Sequence, residues 1–365
     1  MKKIRILYTI PNFNTAGSGK VVYDLVKGLD KTMFEPEICC FHNKGAFFNE
    51  VAALGVPIHV FHFATNLKPY YSLIFRVLKI RKFFKKHQFD IIHSWHWSSD
   101  VTEPLAARLA GIPWVYTKKA MSWGSPKLWK LRSRLASKII VLNRDMIPRF
   151  FESMKRKVAL IYLGVDTEVY VPQEKVYHTP LGHKFAKDDF VIVSVANLVP
   201  IKGIEYLIDA INLINDKHIK LLIVGNNNNE YGQSLIEQNK NDNIIFIDKQ
   251  LDVKPYHAVS DVFVIPTKTS WEGLPVAPIE AMSSGRIVIG SNVEGVREVL
   301  ASFNDFMFES KNKVEIAEKI KWMQSMKDNE REAYARKMRQ TALDSFSLKA
   351  CIENHAVFYN KVLNS

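Results

Sequence analysis

Short β-rich runs recur along this chain, and helix-length amphipathic segments fill most of the gaps between them. In the first half the runs are IRILYTI, EPEICCF, PIHVFHF, DIIHSW, PWVYT, KIIVLN and VALIYL, separated by segments such as KVVYDLVKGL and EPLAARLAG. Strands that alternate with helices form a parallel sheet covered on both faces. The pattern breaks over VPQEKVYHTPLGHKFAKDD (171–189) and restarts with FVIVSVANL, IKLLIVG, NIIFI, DVFVIP and RIVIG. The expected fold is α/β, with two doubly wound, Rossmann-like domains over 1–172 and 173–345. Residues 346–365 are expected to form a helix packing back toward the first domain. A length of 365 residues suits two such cores.

At 47% apolar and 24% charged residues the chain is globular and not disordered. Its three cysteines, Cys39, Cys40 and Cys351, have no zinc-binding spacing. Neighbours on a strand point to opposite faces, so reduced thiols in a cytoplasmic protein are expected. The start, MKKIRILYTIPNF, reads as a first strand rather than a signal peptide. No apolar stretch approaches the roughly 18 residues of a spanning helix. Charge is distributed unevenly: residues 1–175 hold 28 Lys and Arg against 13 Asp and Glu, and the remainder holds 22 against 24. A basic half suits an anionic partner, either phospholipid headgroups or nucleic acid. The segment YSLIFRVLKIRKFFKKH (71–87) carries Arg76, Lys79, Arg81, Lys82, Lys85 and Lys86 and no acid. Ile74, Val77, Leu78 and Phe84 fall at helical spacing and are expected to pack on the sheet. That packing leaves the one-sided charge and Phe83 unexplained, whereas docking on anionic lipid accounts for both.

Ligands of doubly wound sheets bind outside the carboxyl ends of the strands, so polar residues there are the candidates. After the first strand, Ala16-Gly17-Ser18-Gly19 lets backbone approach an anion at the start of a helix near Ser18. The stretch is neither GxGxxG nor a Walker A loop, and taken alone it reads rather as a plain turn. The fourth strand ends in HSWHW: His93 and Trp95 share one face, while His96 and Trp97 fall at or past its end. In VIVSVANLVPIKGIEYL, Lys202 precedes Gly203 and a helix, where it can reach a phosphate; taken singly it reads as a solvated lysine. Gly225 closes the strand IKLLIVG. The stretch EGLPVAPIE places Glu272 after a strand, at a turn over Ser270–Gly273, and Glu280 in the second turn of a helix starting near Pro275. Alone, the two glutamates fit a cap residue and a solvated helix position.

Together these segments resemble the retaining GT-B fold glycosyltransferases of family 4, over nearly the whole chain. The specific part is VANLVPIKGIEYLIDAI, LLIVG and DVFVIPTKTSWEGLPVAPIEAMSSGRIVIGSNVEGVREVL; AGSGKVV and DIIHSWHW match less specifically. The resemblance implies two domains facing across a cleft, an acceptor side in the first and a nucleotide-sugar side in the second. It implies that Glu272 contacts the donor sugar's hydroxyls, that the turn at Gly273 and Leu274 offers backbone N–H groups to sugar and phosphate, and that Glu280 accepts from the ribose. Carboxylates are strong acceptors for vicinal diols. Lys202 would neutralise the diphosphate, with no metal and no cofactor, and Gly17 would bring backbone to the phosphate. Gly225 lies beside the donor. Transfer would proceed with retention through an oxocarbenium-like state, the leaving phosphate helping to take the proton. The expected donor is a UDP- or GDP-sugar. The expected acceptor is a lipid-linked or cell-surface glycan precursor, met by a peripheral enzyme at the inner face of the membrane.

Two positions depart from the family pattern. Where members carry Arg ahead of the lysine, this chain has Asn197, which removes one phosphate-binding cation. An ungapped match to the family's HxH puts Trp95 at the second histidine, and His96 fills that role only after a one-residue shift. A nucleotide-sugar 2-epimerase shares the architecture, but the chain lacks the histidine–glycine–acid–arginine run of that group. A nucleic-acid binder would suit the basic half, yet no zinc, RNP-type or helix-turn-helix signature accompanies the charge. A sugar-binding homologue without activity is a further alternative.

Overall fold

A computed structural model describes every residue except Met1, Thr15, Ala16, Ser270 and Ser365. The chain divides into two compact units, Met1–Leu163 with Lys349–Ser365, and Gly164–Leu348. Parts of two predicted turns, Ala16 and Ser270, lie outside the described residues.

The first unit is built on strands β1 (Ile4–Thr9), β2 (Phe34–Cys40), β3 (Ile58–Val60), β4 (Ile91–Ser94), β5 (Trp114–Lys118), β6 (Lys138–Val141) and β7 (Val158–Leu160). They form one seven-stranded sheet in the order β3-β2-β1-β4-β5-β6-β7, with every pair parallel. The second unit holds β8 (Phe190–Val195), β9 (Ile219–Val224), β10 (Ile244–Ile247), β11 (Val262–Ile265), β12 (Ile287–Ser291) and β13 (Met307–Phe308). Its order is β10-β9-β8-β11-β12-β13, again parallel throughout. Both are doubly wound α/β sheets, and each β-rich run named above contains a strand. Only β13 has no counterpart in that reading, because two residues are too few to show a period. Central strands such as β12 are buried along their whole length, as helices on both faces require.

The junction expected near 172 falls inside the second unit. Val165 N–H donates to Phe346 O at 2.8 Å, and Tyr170 O accepts from Ser283 Oγ at 2.6 Å, which fastens the segment after Leu163 to that unit. The helix Leu348–Leu363 buries Cys351, Phe358, Tyr359 and Val362 in the core of the first unit. There the Tyr359 hydroxyl lies 2.9 Å from that of Tyr8 and 2.7 Å from His93 Nδ1. The three cysteines are buried, and none is in a disulfide among the described residues.

The basic helix spans Leu73–His87 and buries Val77, Ile80 and Phe84. Ile74 and Leu78, expected on that face, are 51% and 40% exposed. At 100° per residue they sit about 90° and 130° around the axis from the centre of the buried stripe. Phe83, in contrast, has a packing role: its ring stacks on Phe61 at 4.2 Å and 15°. Among the described residues no helix is long and apolar enough to cross a membrane.

Candidate active site

Strand order reverses direction at β8 and β11, where one connection runs outward through β9 and the next begins the other side of the sheet. A crevice opens at such a switch point, beyond the carboxyl ends of the strands. Here it is a cleft of about 250 Å³ lined by Asn197, Lys202, Gly225, Thr267, Glu272 and Pro275, among others. The cleft lies wholly within the second unit.

Two glycines shape its walls. A Cβ on Gly225 would sit 1.7 Å from the Ala196 carbonyl oxygen, so the ends of β8 and β9 can approach only with glycine there. Gly203 adopts φ +66°, and a Cβ would lie 2.2 Å from Pro266 O. That tight turn presents Lys202 to the cleft, where its ammonium pairs with Glu272 Oε1. The lysine side chain is 16% exposed and the glutamate 29%. The other carboxylate oxygen, Oε2, is buried without a protein partner, as is Thr267 Oγ1. A charged acceptor and a hydroxyl are thus held at the cleft with hydrogen-bonding capacity to spare. The turn at Gly273 and buried Leu274 packs tightly on the helix Glu294–Val299, a Cβ on Gly295 falling 2.6 Å from Glu272 O.

Glu280 is placed differently from expectation. Its helix runs Ala277–Ser283, two residues later than the predicted start, so Glu280 falls in the first turn and not the second. Pro278 accounts for the delay: in a helix begun at 275 it would owe an N–H to Leu274 O, whereas in the first turn of Ala277–Ser283 no donor is needed. The side chain lies outside the lining of the cleft and meets the Tyr170 hydroxyl; burial, and then this carboxylate, push that hydroxyl up.

In the first unit Gly17 opens the helix Gly17–Gly28, where Ser18 Oγ accepts from Lys119 Nζ at 2.9 Å. The same ammonium donates to Trp95 O at 2.7 Å; burial, then Arg132, hold the Lys119 pKa at about 8. His93 is fully buried and has both ring nitrogens engaged, with Tyr359 at 2.7 Å and Thr117 Oγ1 at 2.9 Å. Trp95 is 1% exposed and packs against that ring. His96 follows the end of β4, edge-on to Phe41 and Phe63, and borders a second cavity of about 710 Å³ with His62, Arg76 and Asp100. Its Nδ1 is buried without a partner. Burial, with Arg132 and Lys119 next, lowers its pKa to about 3, so the ring is neutral at pH 7. Sequence reasoning missed Lys249 and Gln250, which line the first cleft after β10, and Thr267 beyond β11. Their positions past strand ends were the available signal.

Comparison with known proteins adds to this geometry. Residues 15–169 match a family described as Glycosyltransferase Family 4, and residues 181–341 match one described as Glycosyl transferases group 1. The chain is 26% identical over 263 residues to a UDP-Gal:alpha-D-GlcNAc-diphosphoundecaprenol alpha-1,3-galactosyltransferase of Escherichia coli, covering 64% of this chain and 66% of the relative. It is 25% identical over 330 residues to the capsular polysaccharide biosynthesis glycosyltransferase CapH of Staphylococcus aureus, covering 84% and 86%. Among solved structures, Anabaena Alr3699/HepE in complex with UDP and glucose aligns with a TM-score of 0.78 at 19% identity, over 98% of this chain and 99% of that one. At such identity the last likeness speaks to the fold alone.

Proposed function

The chain belongs to the family 4 glycosyltransferases of GT-B fold, and on that premise we propose that it transfers a sugar, with retention, from a UDP- or GDP-sugar to a hydroxyl of a lipid-linked or cell-surface glycan precursor. The observation that carries this reading is the cleft at the β8–β11 switch point, where Lys202 and Glu272 meet beside two glycines that bare the backbone. The relatives' names support it: one uses a UDP-sugar and a diphosphoundecaprenol acceptor, another serves capsular polysaccharide synthesis. Neither the isomerase nor the nucleic-acid alternative gains support from these matches.

In this reading the donor diphosphate draws Lys202 away from Glu272. The ammonium then neutralises charge that accumulates on the leaving phosphate, the part a metal plays elsewhere. Glu272, released from the pair, accepts hydrogen bonds from the sugar hydroxyls, and Glu280 turns from Tyr170 to the ribose. The basic helix brings the enzyme to its acceptor. Tyr70, Tyr71, Ile74, Phe75 and Leu78 are exposed beside Lys79, Lys82, Lys85 and Lys86, an apolar and cationic surface suited to an anionic bilayer. The test is a screen of UDP- and GDP-sugars with a lipid-diphosphate sugar acceptor in EDTA, the product anomer being read by NMR. Release of nucleoside diphosphate with a retained anomer supports the proposal. Inversion, or turnover only with added divalent metal, contradicts it.

A further inference from the structure

Away from both cavities, three potential metal-binding side chains converge in the first unit from three separate elements. Glu37 comes from β2, His59 from β3, and His87 from the last turn of the basic helix. Their ligand atoms all lie within 4.8 Å of one another. Glu37 is only 2% exposed, yet its carboxylate is already oriented: Arg5 holds Oε1 at 2.5 Å, and Oε2 lies 2.6 Å from His59 Nε2. The two imidazoles stand 4.5 Å apart, centre to centre, at 65°. Phe83 and Phe89 flank them, Phe83 edge-on to His59 at 5.5 Å and Phe89 stacked on His87 at 5.7 Å.

We propose that Glu37, His59 and His87 form a binding site for a divalent transition-metal ion of the zinc class. Two imidazoles and one carboxylate are a donor set that such ions favour over magnesium or calcium, and an open fourth position takes water. Metal–ligand bonds of about 2.0–2.1 Å separate neighbouring donors by roughly 3.3 Å. The Glu37–His59 contact therefore opens slightly as the ion enters between Oε2 and Nε2. His59 then binds through Nε2 with its proton on Nδ1. Arg5 remains on the far carboxylate oxygen as the outer partner that fixes the ligand's direction. Glu35 and Asp90, which also contact Arg5, keep the neighbourhood from being wholly cationic. A bound ion would tie the carboxyl end of the basic helix to the edge of the sheet. This site is independent of the transfer reaction proposed above.

The full chain, stripped with EDTA and exchanged into metal-free buffer, is titrated with ZnCl2 by calorimetry. Binding of one zinc per chain is expected, with a rise in melting temperature. Even outer-shell changes around zinc cost about 10- to 100-fold in affinity. His87→Ala and His59→Gln should therefore each lose at least that much and abolish the thermal shift. His87 lies in a half-exposed last helical turn, so its replacement spares the fold; circular dichroism verifies this for both variants. His96→Ala, at a cluster with Asp100 and Glu103, and His218→Ala, at one with Asp188 and Asp189, should leave zinc affinity unchanged. No saturable binding in the wild type, unaltered affinity in His87→Ala, or loss only in His96→Ala or His218→Ala would each overturn the proposal.

Discussion

Lys202 and Glu272, 70 positions apart in sequence, meet as an ion pair inside the cleft of the second unit, and the second oxygen of that glutamate has no protein partner. Under the proposed function, a diphosphate would compete for the lysine and release the carboxylate to a sugar. Ligand binding and site assembly are then one event.

The two glutamates should separate under mutation. Glu272→Ala should depress turnover while leaving affinity for bare UDP or GDP intact, since it frees Lys202. Glu280→Ala should weaken the nucleotide itself by ten- to hundredfold, from charge-assisted hydrogen bonds worth about 1.5–3 kcal/mol. Calorimetry with the nucleoside diphosphate decides this; equal losses in both variants would refute the division of labour.

His96 and Trp95 should likewise part company. Trp95 is fully packed, and truncating a buried aromatic costs about 3–5 kcal/mol. Trp95→Ala is thus expected to lose stability first. His96→Ala should keep its melting temperature within a few degrees and lose turnover. A variant that retains full activity without His96 would remove that residue from the reaction.

Stability should fall on mild acidification. His93, His355 and His257 are buried and neutral; burial holds His355 near about 4 and His257 near about 3, and His93 well below its ordinary value. Unfolded histidines titrate near about 6.5, so below that pH the unfolded chain binds protons that the folded chain refuses. The sign follows: this stability is present above about pH 6.5 and is lost as pH falls toward the folded values. Each histidine contributes about 1.4 kcal/mol per pH unit in that window. Urea midpoints at pH 7 and pH 5 should drop accordingly, and a higher midpoint at pH 5 would contradict the assignment.

Much of this was legible from residues alone. The strand runs are visible because strands buried on both faces read as apolar runs, and β8 and β11 carry such runs to their polar ends; the switch point between them is not, because strand order leaves no mark on the runs. Lys202 and Glu272 are visible through that position. Their mutual contact is not, because it joins loops after different strands. Glu280 shows the limit of local reading: its spacing is clear, but the partner Tyr170 lies far back in the chain. His93 is similar, since the helix that supplies Tyr359 returns 266 residues later. Ile74 and Leu78 looked like core by spacing, and only the orientation of the helix on its sheet shows that Ile80 takes their place.

That outward face makes the membrane proposal sharper. Liposome flotation should show binding to anionic vesicles that falls with salt and with Lys82, Lys85 and Lys86 changed to Gln, at about 1 kcal/mol per charge. Phe75→Ser, at a side chain 71% exposed, should weaken binding without affecting the fold. Equal binding to neutral vesicles, or none to either, would sink this docking mode.

The most direct test of the donor site is calorimetric titration of UDP and GDP into the wild-type chain and into Lys202→Ala. The account predicts saturable binding of at least one nucleotide to the wild type. It predicts a loss of roughly ten- to hundredfold in the variant, because Asn197 supplies no second cation. Failure of the wild type to bind either nucleotide, or undiminished affinity without Lys202, would contradict it.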